Sequence, residues 1–447
     1  MDSVTHAKQG SRRRRQGYDD IAIVSPVTIP YVRYSIKSAH WWVARGLSAL
    51  LKRSGLAKEQ IDGACITSFM LSPDTAVGLM QHIGLAPRWL DHIPTGGASG
   101  VIGIRRAARA VQAGDADIVA CVSADTNDVH SFRLMISNFS QFARDAVYPY
   151  GSGGPNASFA LLTAYYMREF GATREDFGKL CVAQRDNALA FPWALFKKPL
   201  SLEQYMKARP ITDPLHLFDC VMPCAGAEAF LVMRVDQAEA LGLPYARVLG
   251  TIERHNAFAD DPIQMRGGWE MDRDDLYEQA EVGPDTIDFM QTYDDYPVIT
   301  AMQFEDLGFC DKGGASDFIR QHSFDNNGSF PLNTSGGQLS VGQAGAAGGY
   351  LGTVEAIRQL TGERLGSAVP DATTGLVCGF GMINYDRGVC SSAAILGVGK
   401  QLDTAASAQY REHMIETYVP EADSPTRYAQ AVTDAEAARS DAAGVSP

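Results

Sequence analysis

The chain has 447 residues, 45% of them hydrophobic and 20% charged, the balance of an ordinary globular protein. That composition excludes a mostly disordered chain, a collagen-like chain and a coiled coil, and no apolar run reaches the ~18 residues of a membrane-spanning helix. The formal net charge of −13 makes most of the surface repel nucleic acid and anionic membrane, and the length predicts two large folding units or about three smaller ones.

Residues 1–17 are polar and basic, with the run Arg12, Arg13, Arg14 and Arg15. They read as a solvated, disordered leader. No apolar stretch with the length and cleavage pattern of a secretory signal follows. Strands and helices alternate from there. Residues 21–24 read as a short apolar strand. A helix is predicted over 38–54, where Trp42, Leu47, Leu50 and Leu51 recur at helical spacing. A strand over 64–67 and a helix over 75–83 come next. Residues 100–113 form a helix closed by Gly114, and 117–122 a buried strand. Such alternation predicts an α/β fold with helices on the sheet faces.

Residues 125–230 break the pattern. They hold a glycine- and tyrosine-rich run at 148–155, a long amphipathic helix from 157 to 170, and an aromatic loop at Phe191, Pro192 and Trp193. They read as an excursion that covers a site. The strand–helix series restarts near residue 250. A strand ends at 292, helices lie over 296–307 and 353–360, and strands over 375–379 and 393–397 close the series. A small-residue turn, a helix and a buried strand thus occur twice, from Gly97 and from Gly345, which predicts a duplicated α/β unit. From Gln401 the chain carries eight acidic residues, Asp403, Glu412, Glu416, Glu421, Asp423, Asp434, Glu436 and Asp441. Large aliphatics are nearly missing after Ile415, so 401–447 is expected to be an acidic, largely disordered tail.

The eight cysteines, Cys65, Cys121, Cys181, Cys220, Cys224, Cys310, Cys378 and Cys390, lie scattered, mostly in apolar strings. A chain of this size has core enough without disulfides, so reduced thiols in a cytoplasmic protein are expected. Cys220 and Cys224 are the one close pair. No second pair or nearby histidine completes a zinc site, and no metal is expected.

Two glycine-rich turns are candidates for chemistry. Gly97-Ala98-Ser99-Gly100 opens a helix, and a helix N-terminus presents backbone N–H groups and positive potential to an oxyanion. The segment 333–349 begins at Asn333, and seven of its last eight residues are Gly or Ala. Gln343 alone interrupts them, a polar side chain in a place where something approaches closely.

These segments resemble the thiolase superfamily, in particular its sterol-carrier-protein thiolase branch. Three stretches between Ile21 and Val398 carry the resemblance: Gly97-Ala98-Ser99-Gly100 with the helix and strand after it, Tyr293-Asp294-Asp295-Tyr296 with the helix at 302–310, and 333–349 with the helix that follows. The resemblance implies an α/β, five-layered αβαβα fold from two duplicated halves. These are 18–245, including the loop-domain insertion 125–230, and 246–400.

The departures from that family bear on function. Gly97 stands where those enzymes place a nucleophilic cysteine. Gln343, in Gly342-Gln343-Ala344, stands where they place a histidine, and an amide cannot deprotonate anything near neutral pH. Their late cysteine falls on Val377 or on Cys378, depending on whether the Gly-x-Gly or the cysteine sets the register. Backbone donors at Gly97, Ala98, Ser99 and Gly345, with the Gln343 amide, are candidates to hold a thioester or enolate oxygen. Proton transfer then falls to Tyr293, Asp294, Cys378 or His130, with Asn333 and Cys224 as further site candidates. Steroid side-chain aldolases of the same superfamily also lack the cysteine pair, and use a tyrosine that Tyr293 matches. They carry a second tyrosine where this chain has Gln343.

The expected function is therefore making or breaking a C–C bond in an acyl-CoA, with retro-aldol cleavage first. Acyl transfer by a displaced cysteine is second, and a non-catalytic acyl-CoA-binding subunit third. Coenzyme A enters as part of the substrate and no bound cofactor is expected. The resemblance also implies a homodimer and a small OB-fold/zinc-ribbon partner protein.

Overall fold

The computed structural model describes residues 16–71, 74–127, 144–151, 154–385 and 387–421. Its strands are β1 Ile21–Val32, β2 Gly63–Thr67, β3 Trp89–His92, β4 Val119–Asp125, β5 Pro210–Thr212, β6 Leu215–His216, β7 Ala225–Arg234, β8 Tyr245–His255, β9 Phe289–Gln291, β10 Thr374–Asn384 and β11 Arg387–Lys400. Among the described residues β5 and β6 pair with each other, and the other nine form one sheet in the order β3-β2-β4-β7-β1-β8-β11-β10-β9.

Over four strands outward from its middle the sheet reads the same in both directions, and β3 extends one side. From β1, the pairings run antiparallel to β7, antiparallel to β4, then parallel to β2. From β8, they run antiparallel to β11, antiparallel to β10, then parallel to β9. Antiparallel pairing of β1 with β8 joins the halves. The duplication expected from the two small-residue turns is thus a repeat of strand order and pairing sense, with β4 and β10 as equivalents.

Side-chain alternation along the strands builds three cores. On β1, Ile21 and Ile23 face the central layer, while Ala22 and Val24 face the outer layer with Trp42. The outer helix Ala39–Ser54 packs on β1, β4 and β7, and the helix Gly268–Ala280 packs on β8 and β11. Between the half-sheets lie the helices Ser99–Ala113 and Gly348–Thr361 in mutual contact. Helix, sheet, helix, sheet, helix is the αβαβα order. The second central helix meets the turn that opens the first through glycines: a Cβ at Gly349 would lie 2.7 Å from the carbonyl oxygen of Gly96 and 2.8 Å from Cα of Gly97.

Three expectations about extent change. β1 runs well beyond residue 24. Ser25 takes φ 55° and the register shifts between Val24 and Val27, so a bulge carries the strand past Pro26, which by sequence looks like a breaker. The excursion lies within the first half and ends before Ala225, where β7 begins. It contains the helices Pro155–Phe170 and Arg174–Leu189. The tail is ordered at its start. The helix Thr404–Thr417 is capped by Asp403, whose side chain accepts from the Ala406 amide. Tyr410, Met414 and Tyr418 are buried, and Arg411 Nε donates to the Leu365 carbonyl at 2.6 Å. One residue in four on a single helical face supplies that contact, a signal that the acidic average composition hid. Residues 1–15, with Arg12–Arg15, and 422–447 lie outside the described residues.

Candidate active site

Position 97 is the middle of a short turn, Gly96–Ala98, that leads into the helix Ser99–Ala113. A Cβ built on Gly97 would overlap the edge of the Tyr293 ring at Cε2 and Cζ, and also the carbonyl oxygen of Phe380. The tyrosine ring therefore fills the space that a side chain at 97 would need. Glycines at 379 and 381 let β10 lie against the same turn. A Cβ at Gly379 would meet Ala98 Cα at 2.7 Å, and one at Gly381 would meet Gly97 N at 2.8 Å.

Tyr293 is held by its backbone. Its N–H donates to Gln303 Oε1 at 3.0 Å, and its carbonyl accepts from Gln303 Nε2 at 2.9 Å. Its hydroxyl donates to Asp295 Oδ2 at 2.8 Å. Gln343 Nε2 closes the triangle, donating to Asp295 Oδ1 at 2.6 Å and to Tyr293 Oη at 3.3 Å. The Gln343 turn is stitched in place: its N–H donates to the Met222 carbonyl at 2.9 Å, and its carbonyl accepts from the Cys224 N–H at 2.9 Å. Burial raises the Tyr293 hydroxyl well above its ordinary range, and the neighbouring Asp295 carboxylate adds to the shift. Burial, with Asp294 adding, pushes Asp295 up to about 7 against the hydrogen bonds from Tyr293 and Gln343.

Asp294 points elsewhere. Its carboxylate accepts from the backbone of Gln338 at 2.9 Å and Leu339 at 3.2 Å, and from Gln184 Nε2 at 3.0 Å. It caps the short helix Gly337–Val341, and burial raises it to about 6. Asp295 is the carboxylate that meets Tyr293, and the sequence reading passed over it. The available signal was spacing, because residues two apart in extended chain share a face.

Asn333 is a clamp on the same turn. Its Oδ1 accepts from the Thr292 N–H at 2.8 Å and its Nδ2 donates to Thr292 Oγ1 at 2.9 Å. Its φ of 44° is a left-handed conformation that asparagine tolerates.

The two small-residue turns are less open to an oxyanion than expected. The Ala98 and Ser99 amides donate within their own turn, to Thr95 and Gly96, and Ser99 Oγ donates to the Ile93 carbonyl at 3.2 Å. At the second turn a carboxylate already sits. Asp125 Oδ2 accepts from the Ala346 N–H at 2.7 Å, and a Cβ at Gly345 would overlap it. Both hydrogens of the Gln343 amide are also engaged, so Gln343 orients Asp295 and Tyr293 rather than standing free for an oxyanion.

The thiols of the cysteine candidates pack in the apolar cores. Val377 faces the central core and Cys378 the outer one, so the β10 face nearest the Gly97 turn carries the valine. The Cys378 thiol is raised by burial alone. Cys224 packs in the outer core of the first half, its thiol raised by burial and by Glu228. His130 lies outside the described residues. The excursion does reach the site's supports: Phe159 stacks on Tyr296 at 4.6 Å, and the Tyr296 hydroxyl donates to Asn156 Oδ1 at 2.5 Å. The described residues hold no cluster of metal-ligating side chains.

The family model described as thiolase C-terminal domain-like matches residues 253–396. A "Steroid side-chain-cleaving aldolase" from Thermomonospora curvata is 30% identical over 369 residues, 79% of this chain and 91% of that protein. A "17-hydroxy-3-oxo-4-pregnene-20-carboxyl-CoA lyase" from Mycobacterium tuberculosis is 30% identical over 396 residues, 84% of this chain and 98% of that one. A solved structure described as "Ltp2-ChsH2(DUF35) aldolase" superposes with a TM-score of 0.73 at 26% identity, covering 85% of this chain and 98% of that one. With the repeated half-sheets and the paired central helices, these similarities settle the family: the chain belongs to the thiolase superfamily, in its sterol-carrier-protein thiolase-like branch.

Proposed function

We propose that the protein is an acyl-CoA C–C lyase that cleaves a β-hydroxyacyl-CoA by retro-aldol chemistry. One observation carries the reading: the ring of Tyr293 occupies the place of a side chain at position 97 and delivers its hydroxyl to a carboxylate and an amide. Retro-aldol cleavage needs a group to take the hydroxyl proton and no covalent acyl-enzyme. Thiolysis needs a nucleophile at that turn. Acyl transfer through Cys224 or Cys378 is disfavoured because burial raises both thiols and the thiolate is the reactive form.

The relatives' names support the substrate class. The lyase named above acts on a CoA thioester whose carboxyl is on C20 with a hydroxyl on C17, which is β to the thioester. The test is to incubate the protein with 17-hydroxy-3-oxo-4-pregnene-20-carboxyl-CoA and follow products by mass spectrometry. Cleavage gives the 17-ketone and propanoyl-CoA. Unchanged substrate, with and without a DUF35-type partner protein, would defeat this reading of the substrate.

A DUF35-type partner belongs to the proposal because the structurally similar aldolase is described with one. A homodimer is supported by β3, a half-buried edge strand with β2 as its sheet neighbour. A cytoplasmic location is supported by eight cysteines that are all free.

A further inference from the structure

We infer that Asp295 is a catalytic residue, the group on which the substrate's proton comes to rest, with Tyr293 as the relay and Gln343 as the positioning residue. The inference rests on the retro-aldol reading and assigns its base.

The geometry argues for this division of roles. Tyr293 cannot keep the proton alone, because its hydroxyl already donates to Asp295 Oδ2 at 2.8 Å. A hydroxyl whose hydrogen points at a carboxylate has only acceptor capacity left, and beside the Gln343 amide one lone pair of Tyr293 Oη remains for an incoming donor. Gln343 Nε2 approaches both Tyr293 Oη and Asp295 Oδ1, which fixes the amide orientation: a carbonyl oxygen there would face a carboxylate oxygen. Gln343 thereby ties the carboxylate to the phenol hydroxyl. Asp295 is half-buried, whereas Asp294 is committed to the Gln338 and Leu339 amides and the Gln184 side chain.

In the forward step the β-hydroxyl of the substrate gives its proton to Tyr293 Oη as Tyr293 passes its own to Asp295 Oδ2. The O–H electron pair forms the new C=O bond. The Cα–Cβ pair moves onto the thioester, giving an enolate. The same relay run backwards delivers the proton to Cα. The products are a ketone or aldehyde and the shortened acyl-CoA, with no oxidant or second substrate.

The surroundings suit a group that must be ionised and yet basic. Asp295 faces Tyr293 and Gln343, with Asp294 on its own turn, Cys220 from the excursion and Tyr296 at the start of the following helix in electrostatic contact. None of these is a cation. Burial leads the causes that hold Asp295 up to about 7, near the value at which a general base works best at neutral pH.

The test compares wild type, Asp295→Asn, Asp295→Glu and Tyr293→Phe in two assays. One is cleavage of the β-hydroxyacyl-CoA named above. The other is exchange of α-hydrogens of propanoyl-CoA in D₂O, which needs only enolisation. Asp295→Asn is expected to lose about 10²–10⁴ in kcat/KM and a comparable share of the exchange, with an unchanged thermal melt. It should also lose the acidic limb of the wild-type pH profile near pH 7, and Asp295→Glu should restore part of both rates. Should Asp295→Asn fail to fold, the wild-type profile still decides: an acidic limb near 7 in both assays supports the inference, and a flat profile from pH 5.5 to 8.5 overturns it. Cleavage by wild type with near-normal rates in Asp295→Asn overturns the role of Asp295 and leaves the retro-aldol reading standing. Exchange that depends on Asp295 without any cleavage supports the base and defeats the retro-aldol reading. A wild type that neither cleaves nor exchanges overturns both.

Discussion

A side chain at position 97 and the ring of Tyr293 are sterically exclusive: a Cβ on Gly97 would overlap the ring edge at Cε2 and Cζ. The missing side chain at 97 is therefore more than a lost nucleophile. It is the space into which the phenol is built, and the Gln303 amide, bonded to both the N–H and the carbonyl of Tyr293, holds the ring there. A second obstacle, the Phe380 carbonyl, is backbone and cannot swing away.

Gly97→Ala should thus be costly although it adds one methyl. Overpacking of this kind destabilises by roughly 1–3 kcal/mol, and the ring must move to relieve it. Denaturant melts should show the loss and turnover should fall in parallel. Wild-type activity in Gly97→Ala would mean that the ring is free to leave.

Tyr293→Phe keeps the ring and removes the hydroxyl. Turnover should drop by about 10²–10⁴ with little change in stability. Intact-protein mass after incubation with acyl-CoA should show no thioester adduct in either wild type or variant. A stable adduct on Cys224 or Cys378 would move acyl transfer ahead of retro-aldol cleavage.

Asp294→Ala should behave as a structural variant. Two backbone amides, of Gln338 and Leu339, and Gln184 Nε2 lose their acceptor. Leaving buried donors unsatisfied costs about 1–3 kcal/mol each. The melt should fall markedly, while the acidic limb of the pH profile persists in whatever activity remains. A lost limb with an intact melt would transfer the base role from Asp295 to Asp294.

Truncation should separate the two parts of the C-terminal segment. Ending the chain after residue 400 removes the buried Tyr410, Met414 and Tyr418. It also removes the Tyr410 ring over which the Arg53 guanidinium lies at 4.9 Å. That deletion is expected to lower the melting temperature by many degrees or to abolish soluble expression. Ending it after residue 421 keeps every one of these contacts and should leave the melt within a few degrees.

Glu228 gives a stability prediction with a definite sign. It is fully buried, and its Oε2 accepts from Thr28 Oγ1 at 2.7 Å. Burial pushes its carboxyl from 4.5 up to about 8, opposed by Arg358. The folded protein holds this proton where the unfolded chain has released it. Its contribution is therefore fully present below about 4.5 and is lost as pH rises through about 8. Glu228→Gln should flatten that decline, whose slope is at most about 1.4 kcal/mol per pH unit. Urea titrations at several pH values check it, and an unchanged slope would place an ionised Glu228 in the fold.

Much of the architecture was legible from local pattern. Helical spacing around Trp42 and the repeat of a small-residue turn, helix and strand from Gly97 and from Gly345 are properties of neighbours along the chain, and they specified an α/β fold and its duplication, while the five-layer order came from the family resemblance. The same locality revealed that position 97 has no side chain and that Gln343 is an amide. It misjudged β1, because a bulge at Ser25 and Pro26 is stabilised by pairing to β7, far away in sequence. It also misjudged the helix Thr404–Thr417, whose few apolar residues matter only because a surface exists to receive them. The division between Asp294 and Asp295 was decided by tertiary structure alone. Adjacent carboxylates are indistinguishable in a sequence. One meets the amides of Gln338 and Leu339, the other meets Tyr293 and Gln343, because the fold brings the turn at 333–343 against the turn at 292–295 with one face toward each.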